Sequence, residues 1–350
     1  MFIENPECAG LFQGTRLKYV ETIIVGGGPA GSTCGWHLTR HGRDVLILDK
    51  SSFPRLKLCA GWITEKVMSD LEFSLEDYPH SILKLKMRTH IAKLPFSLSG
   101  LPTIGENYSI RRTEFDDWLL KRSNTPVKQY MVKTIERDGD LFIINNEYSC
   151  RYLIGAGGTM CPVRRTQFPD SRVKSRQLAT LEIEFEYPVP DTTCHLFFLY
   201  RGLQGYSWFV PKGNGYVNIG LGGKAKYFRK SGTKIHDHFQ LFLGDLVKAR
   251  LLDETTAQNL KKTGHPYYLF SYKGDIKREN CFLIGDSAGL ASVDMGEGIG
   301  PSIESGLLAA QEIMGTGEYT KDAITKYSFG GITQSIMKRT VGRRHGVRQK

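Results

Sequence analysis

An α/β fold carrying an inserted antiparallel β-sheet is what this sequence predicts, and three observations predict it. Residues 20–50 run strand, glycine turn, helix, strand. Residues 281–310 run apolar strand, small-residue loop, glycine-rich helix start. Between them, 171–273 holds the runs LATLEIEFEY, CHLFFLY, GYSWFVP and GYVNIGLGG, which read as antiparallel strands, with one helix near 234–247. The first two stretches read as parts of one Rossmann-like nucleotide-binding domain, the third as a sheet laid over it.

Taken in chain order, Thr22 to Val25 is a short apolar run suited to a strand buried on both faces, and Val45 to Leu48 is a second. Between them Gly26, Gly28 and Gly31 form G-x-G-x-x-G. The first glycine permits a tight turn, the second lets a pyrophosphate approach the backbone, and the third brings a helix over 29–40 close to the sheet. Pro29 opens that helix, where its missing N–H is an orphan in any case, and Ala30 follows in the phosphate-facing turn. Asp49 closes the unit 18 residues past the last glycine, where a carboxylate can accept from the ribose hydroxyls of an adenosine, with Lys50 beside it. The module calls for a dinucleotide and leaves NAD(P) and FAD both open.

The second stretch decides between them. In CFLIGDSAGLASVDMGEGIGPSIESGLLAA a helix beginning near Gly298 would aim free N–H groups and a positive dipole end at an anion. In a flavoprotein that anion is the reduced isoalloxazine, with Gly296, Gly298 and Ile299 at its N1–C2=O edge and Asp286 toward the ribityl chain and pyrophosphate. FAD is therefore the expected cofactor.

Composition limits the remaining choices. The 350 residues are 40% hydrophobic and 24% charged, as expected of a soluble globular enzyme rather than a disordered or membrane-spanning chain. The seven cysteines are scattered, odd in number and form no C-x-x-C pair, which reads as reduced thiols in the cytoplasm without structural zinc. The N-terminus lacks a charged leader followed by an apolar run, and no later stretch reaches the roughly 20 apolar residues a bilayer span needs. Net charge is +11, and the last residues, MKRTVGRRHGVRQK, contain no acid. Such a tail suits peripheral contact with the inner face of a membrane, docking of an acidic electron carrier, or plain solvation. Nucleic acid is not an expected partner.

The pairing of VGGGPAGS with LIGDSAG and MGEGIGPSIESG resembles the FAD-dependent superfamily of aromatic hydroxylases and, within it, the geranylgeranyl reductase family. SIRRTEFDDWLL resembles the family's Arg-x-x-Phe-Asp pattern, which implies that Arg112 contacts the cofactor. YLIGAGGTMCPVRR resembles its Ala-Asp-Gly element, except that Gly157 stands where the hydroxylases carry an acid. The resemblance implies that a carboxylate linked to NADPH handling is missing, which favours a ferredoxin-like acidic carrier over NADPH as reductant. GYSWFVPKGNGYVNIGLGG resembles the reductases' Tyr-x-Trp-x-Phe-Pro-Lys segment, with Val210 in place of the Phe. PRLKLCAGW resembles their basic-x-Lys-x-Cys-x-Gly loop, which in the resembled fold runs under the flavin. Cys59 and Ala60 would then lie against the isoalloxazine, with Gly61 permitting close approach of the backbone.

The resemblance extends from about residue 20 to 312 and implies an FAD-binding domain of the aromatic-hydroxylase (GR2) type, with Val132 among its cofactor contacts. Its expected extent is 1–80, 105–170 and 274–350, with 81–104 and 171–273 forming the substrate domain. The C-terminus is shorter than expected of a full-length reductase of this family, which would leave a more open pocket.

Reducing an isolated C=C bond needs a hydride from flavin N5 to one carbon and a proton to the other. An ordinary thiol is protonated at neutral pH, so Cys59 is a candidate donor; it is also a candidate small hydrophobe packed on the ring. Trp62, Tyr206 and Trp208 are the expected substrate wall, since Tyr206, Trp208 and Val210 alternate to one face and would offer an aromatic surface to a long apolar chain. Arg55 and Lys57 are expected to face phosphates or solvent. His236 and His238 stand two apart on a helix and point to different faces, so no metal site is expected. Three activities stay open. The first is an FAD-dependent reductase saturating C=C bonds of an isoprenoid (geranylgeranyl-type) chain on a lipid or pigment precursor. The others are a flavin-dependent monooxygenase or halogenase of an aromatic substrate, and a flavin- or lipid-binding protein with lost catalysis.

Overall fold

The strand Thr22–Val25 is buried at all four positions because it lies inside a parallel sheet with strands on both sides. It pairs in parallel with Val45–Asp49 and with Tyr152–Gly155. Val127–Gln129 extends the first side and Cys281–Leu283 the second, with Lys277–Arg278 antiparallel at the edge. The computed structural model describes residues 17–91, 98–99, 106–169, 177–260, 263–271 and 273–328. Both glycine-rich segments follow strands of this one sheet, separated only by Tyr152–Gly155. Their helices, Pro29–Arg40 and Ile299–Ile313, lie against each other so closely that a Cβ on Gly306 would stand 2.6 Å from the Ala30 carbonyl oxygen.

Alternate strand residues fill two cores. Ile24, Ile47, Ile154 and Phe282 pack with Leu38, Ala309 and Ile313 under the two helices. Ile23, Leu48, Leu153 and Leu283 pack on the other face with Phe142, Ile144 and Phe168. A four-stranded sheet, Lys18–Tyr19, Tyr148–Cys150, Leu141–Ile144 and Ile135–Asp138, supplies that second face.

The second large sheet is ordered Thr263–Tyr268, Gln177–Glu186, Tyr216–Lys224, Gly205–Lys212, Thr193–Phe198, Lys86–Ile91, Leu98–Ser99 among the described residues. It is antiparallel as expected except at one joint, where Lys86–Ile91 runs parallel to Thr193–Phe198. That strand arrives from the other sheet's side of the chain rather than through a hairpin, so its direction is not tied to its neighbour's. Segment 82–104 therefore divides, since Leu83–Lys84 pairs instead with Asn107–Ser109, which also pairs with Trp62–Thr64.

One face of the large sheet is apolar and covered. Leu181, Phe209, Val217, Ile219 and Leu221 pack against Phe239, Phe242, Leu243 and Leu246 of helix Ile235–Lys248. In that helix His236 is exposed and His238 buried, so the two point apart. Helices Ala225–Ser231 and Glu254–Asn259 were not marked by any periodic apolar run. The second is set by its cap, where the Asp253 carboxylate accepts from Thr256 N at 2.8 Å. No helix among the described residues is long and apolar enough to cross a membrane. The basic C-terminal run lies outside the described residues.

Candidate active site

A cavity of about 910 Å³ opens where the parallel sheet's strand ends face the other sheet's uncovered side. From the first strand–helix unit come Gly26, Gly28, Pro29 and Ala30, then Asp49, Lys50 and Val132 near the next strand end. Gly157, Asp286, Gly296, Gly298 and Ile299 come from the later turns, and Cys59, Ala60, Trp62 and Arg112 from the loops between. Tyr206 and Trp208 face them from the antiparallel sheet. Two residues of the expected set do not line the cavity, Gly31 and Gly61.

Gly31 acts from behind. A Cβ there would stand 1.9 Å from the Gly26 carbonyl oxygen and 3.2 Å from the Ala156 side chain, so its role is to let the helix reach the sheet. Gly26 itself adopts φ +116°, with Ala156 O only 2.5 Å from where a Cβ would be. Gly61 corrects an expectation. Its bare side faces the Ile110 carbonyl oxygen at 2.0 Å and the Lys212 ammonium at 2.6 Å from an imagined Cβ, not the cavity.

Asp49 also differs from expectation. Its Oδ2 accepts from Gly27 N at 2.7 Å and its Oδ1 from Ser51 N at 2.8 Å, so the carboxylate first braces the glycine turn. Each oxygen keeps a further lone pair for a hydroxyl donor. The helix start at Gly298 differs too. Glu297 Oε1 accepts from Gly300 N at 2.7 Å, so the chain sets its own carboxyl at a terminus expected to be free for an anion. Burial pushes that carboxyl up to about 7, against the pull of the Gly300 N–H.

Arg112 is buried and makes a two-bond pair with Asp116, at 2.6 and 2.9 Å. Burial opposes the guanidinium's charge, and Asp116 and Cys59 together more than offset it, so the group is held cationic. It lines the cavity together with Cys59, whose sulfur is close enough to favour the guanidinium's charge. The Cys59 Sγ accepts from Gly61 N at 3.3 Å, and the thiol packs beside a cluster containing Ile63, Phe115 and Ile299. The two basic residues of PRLKLCAGW are turned inward. Arg55 lies 3.3 Å from Asp116, and Lys57 Nζ lies 2.9 Å from His265 Nε2. Burial lowers Lys57 below an ordinary lysine, although Asp286 pulls the other way. Burial, helped by Lys57, takes His265 down to about 4, leaving a neutral ring whose Nε2 can accept from the ammonium.

The wall offered by the antiparallel sheet is less apolar than its aromatic pattern implied. The Trp208 indole N–H donates to Asn218 Oδ1 at 2.6 Å, and Asn218 Nδ2 donates to Glu182 Oε2 at 3.3 Å. Trp208 lies against Gly220, where a Cβ would stand 2.3 Å from the ring. Thr180, Glu182, His265 and Tyr267 share the cavity with Trp62, Trp208 and Met295. Burial raises Glu182 above the usual carboxylate range, with Lys212 the main opposing group. The Tyr206 hydroxyl donates to the Met295 carbonyl, tying the wall to the loop before Glu297. His265 and Glu182 belong to no motif, although the alternation in GHPYYLF sets His265 and Tyr267 on one face, and Glu297 stands inside MGEGIGPSIESG, where the glycines alone drew notice. No group of three or more His, Cys, Asp or Glu side chains among the described residues is placed to hold a metal.

These features fit FAD: a glycine cradle at a helix start, and a wall that mixes ionisable and aromatic side chains across from it. The fold and site define a flavoprotein oxidoreductase built on a dinucleotide-binding domain. A model of NAD(P)-binding Rossmann-like domains matches residues 24–81. An uncharacterised protein of Methanosarcina barkeri is 30% identical over 311 residues, 85% of this chain and 75% of that protein. Digeranylgeranylglycerophospholipid reductase 3 of Methanosphaera stadtmanae is 24% identical over 89% of this chain and 82% of its own. Among solved structures, a geranylgeranyl bacteriochlorophyll reductase-like protein of Thermoplasma acidophilum superposes with a TM-score of 0.71 at 19% identity, covering 93% of this chain and 84% of that one. The chain belongs to one family with the Methanosarcina barkeri protein, and it is similar to geranylgeranyl reductases along most of its length.

Proposed function

We propose that this chain binds FAD non-covalently in the cavity and saturates C=C bonds of an isoprenoid chain carried by a lipid or pigment precursor. The observation that carries the proposal is Cys59, a thiol lining the cavity beside Arg112 and opposite Tyr206 and Trp208. The naming of relatives as reductases of geranylgeranyl lipids supports the substrate class.

Asp49, Lys50 and Val132 would hold the adenosine, and Gly26, Gly28, Pro29 and Ala30 the pyrophosphate. Gly157 and Asp286 would meet the ribityl side, with Ala60, Gly296, Gly298 and Ile299 around the ring. When bound and reduced, the flavin supplies a hydride to one alkene carbon. Cys59 gives its proton to the other carbon, and the thiolate left behind faces the Arg112 guanidinium and the Gly61 N–H, both of which oppose its charge. Trp62 and Trp208 hold the chain and keep water away. With Gly157 where a hydroxylase has an acid, reducing equivalents come from an acidic low-potential carrier in preference to NADPH.

The test has two parts. The purified protein should be yellow and bleach with dithionite, and Asp286→Ala should loosen FAD by the worth of a charge-assisted hydrogen bond, about 1.5–3 kcal/mol. Cys59→Ser should then slow product formation while anaerobic flavin reduction proceeds at the wild-type rate. A colourless protein, or equal turnover by Cys59→Ser, would remove FAD or the thiol respectively from the proposal.

A further inference from the structure

We propose that Lys212 is a positioning residue that clamps the Cys59 loop to the antiparallel sheet. Lys212 ends the strand Gly205–Lys212, and its side chain is 0% exposed. An ammonium taken out of water must find acceptors for its three donors. It finds three: Cys59 O at 2.9 Å, Ile110 O at 2.9 Å and Glu184 Oε2 at 3.0 Å. Two are main-chain carbonyls on the cofactor side, and the third stands on the sheet strand Gln177–Glu186. One side chain therefore joins the two halves at the residue that bears the thiol.

The neighbouring residues are shaped to this clamp. Gly61 has φ +65°, and any side chain on it would collide with Lys212 Nζ and Ile110 O. Ile110 N closes the turn by donating to Gly61 O at 2.9 Å. On the far side, Glu184 Oε1 accepts from Arg111 Nε at 2.9 Å, and Arg111 is the N-cap of helix Arg112–Arg122. The ion chain Lys212–Glu184–Arg111 thus fixes both groups that meet over the cavity, Cys59 through its carbonyl and Arg112 through its helix start. Lys212 does not itself line the cavity, so it acts through these two.

The consequence for catalysis rests on the function proposed above, but the clamp can be read without turnover, so the two ideas fail separately. Lys212→Met keeps the stem and removes the three donors; Lys212→Met with Glu184→Gln also removes the carboxylate charge left behind. In the full-length protein, iodoacetamide modification of each cysteine is followed by mass spectrometry. Cys59 should react about tenfold faster or more in both variants, as expected of a locally released loop, while buried Cys34 and Cys194 react as in wild type. Amide exchange of the wild type supplies a measurement that needs no variant: Gly61 and Ile110 should exchange as slowly as the strand Gly205–Lys212. A folded variant whose Cys59 reacts at the wild-type rate, or wild-type amides at Gly61 and Ile110 that exchange as fast as surface loops, would overturn the clamp.

Discussion

The two sheets that enclose the cavity bury their polar groups by different means. In the parallel sheet, the strands Thr22–Val25, Val45–Asp49 and Tyr152–Gly155 are buried almost throughout, and the chain meets the cavity with backbone: glycine turns and helix starts. In the antiparallel sheet, strands reach ten residues, one face is apolar under a helix, and the other meets the cavity with side chains. Those side chains pair across strands, as in Trp208, Asn218 and Glu182 on three separate strands. Backbone sites tolerate almost no added atom. Side-chain sites tolerate added atoms better but depend on partners that lie far away in sequence.

The largest effect expected from this contrast comes from adding a side chain to one glycine on each side of the cavity, Gly31 in the helix against the parallel sheet and Gly220 in the antiparallel sheet. Gly31→Val sets a Cβ 1.9 Å from a backbone oxygen that cannot yield, and it should abolish soluble folded protein or destabilise it by more than about 3 kcal/mol. Gly220→Ala sets its Cβ 2.3 Å from the Trp208 ring and 2.7 Å from Glu182 Cβ, side-chain atoms that yield more readily than a backbone oxygen, so a smaller loss of about 1–3 kcal/mol with altered tryptophan fluorescence is expected. Thermal melts that rank the two in the opposite order would break the contrast.

A smaller effect sharpens the side-chain half. Asn218→Leu leaves both the Trp208 N–H and the Glu182 carboxyl without their partner in a buried site, for a loss of about 1–3 kcal/mol in urea unfolding. The exposed Asn259, whose amide donates to the Thr255 carbonyl, should tolerate the same change within about 0.5 kcal/mol. Equal losses at the two sites would show that the Trp208 chain contributes no special stability.

The last contrast is in pH dependence, where the two sides of the cavity should give slopes of opposite sign. His265, on the antiparallel sheet, titrates near 4 when folded against 6.5 ordinarily, so the unfolded chain binds more protons in between and stability falls as pH drops through that window. Glu297, on the cofactor side, titrates near 7 against 4.5, so the folded chain binds more protons and stability falls as pH rises from 4.5 to 7. His265→Gln should flatten the acid slope. Glu297→Gln should be more stable than wild type at pH 8 and no better at pH 4. Melting curves across pH 4–8 that shift in parallel for both variants would contradict these environments.

The legibility of the molecule follows the same division. The strand Thr22–Val25, its glycine turn, the helix over 29–40 and the helix after Gly298 could all be read from the sequence. Their signals are local, since buried parallel strands are continuous apolar runs and a phosphate-facing turn requires glycine at fixed spacings. The alternation of Tyr206 and Trp208 toward one face was legible for the same reason, because a strand's period of two is set by its own backbone. The partners those faces would meet were not legible. That Lys57 turns in toward His265, that Trp208 spends its N–H on Asn218, and that Gly61 makes room for Lys212 and not for a ligand each depend on strand order and register.

By itself, then, the amino-acid order determined a dinucleotide-binding α/β fold, the second sheet and the loop that bears Cys59. Only the tertiary structure decided which carboxyls and bases share the cavity with that thiol. The physical reason is that glycine sterics and strand periodicity act between residues a few positions apart, whereas burial and hydrogen bonding of ionisable groups are set by neighbours the chain brings together only when the two sheets close on each other.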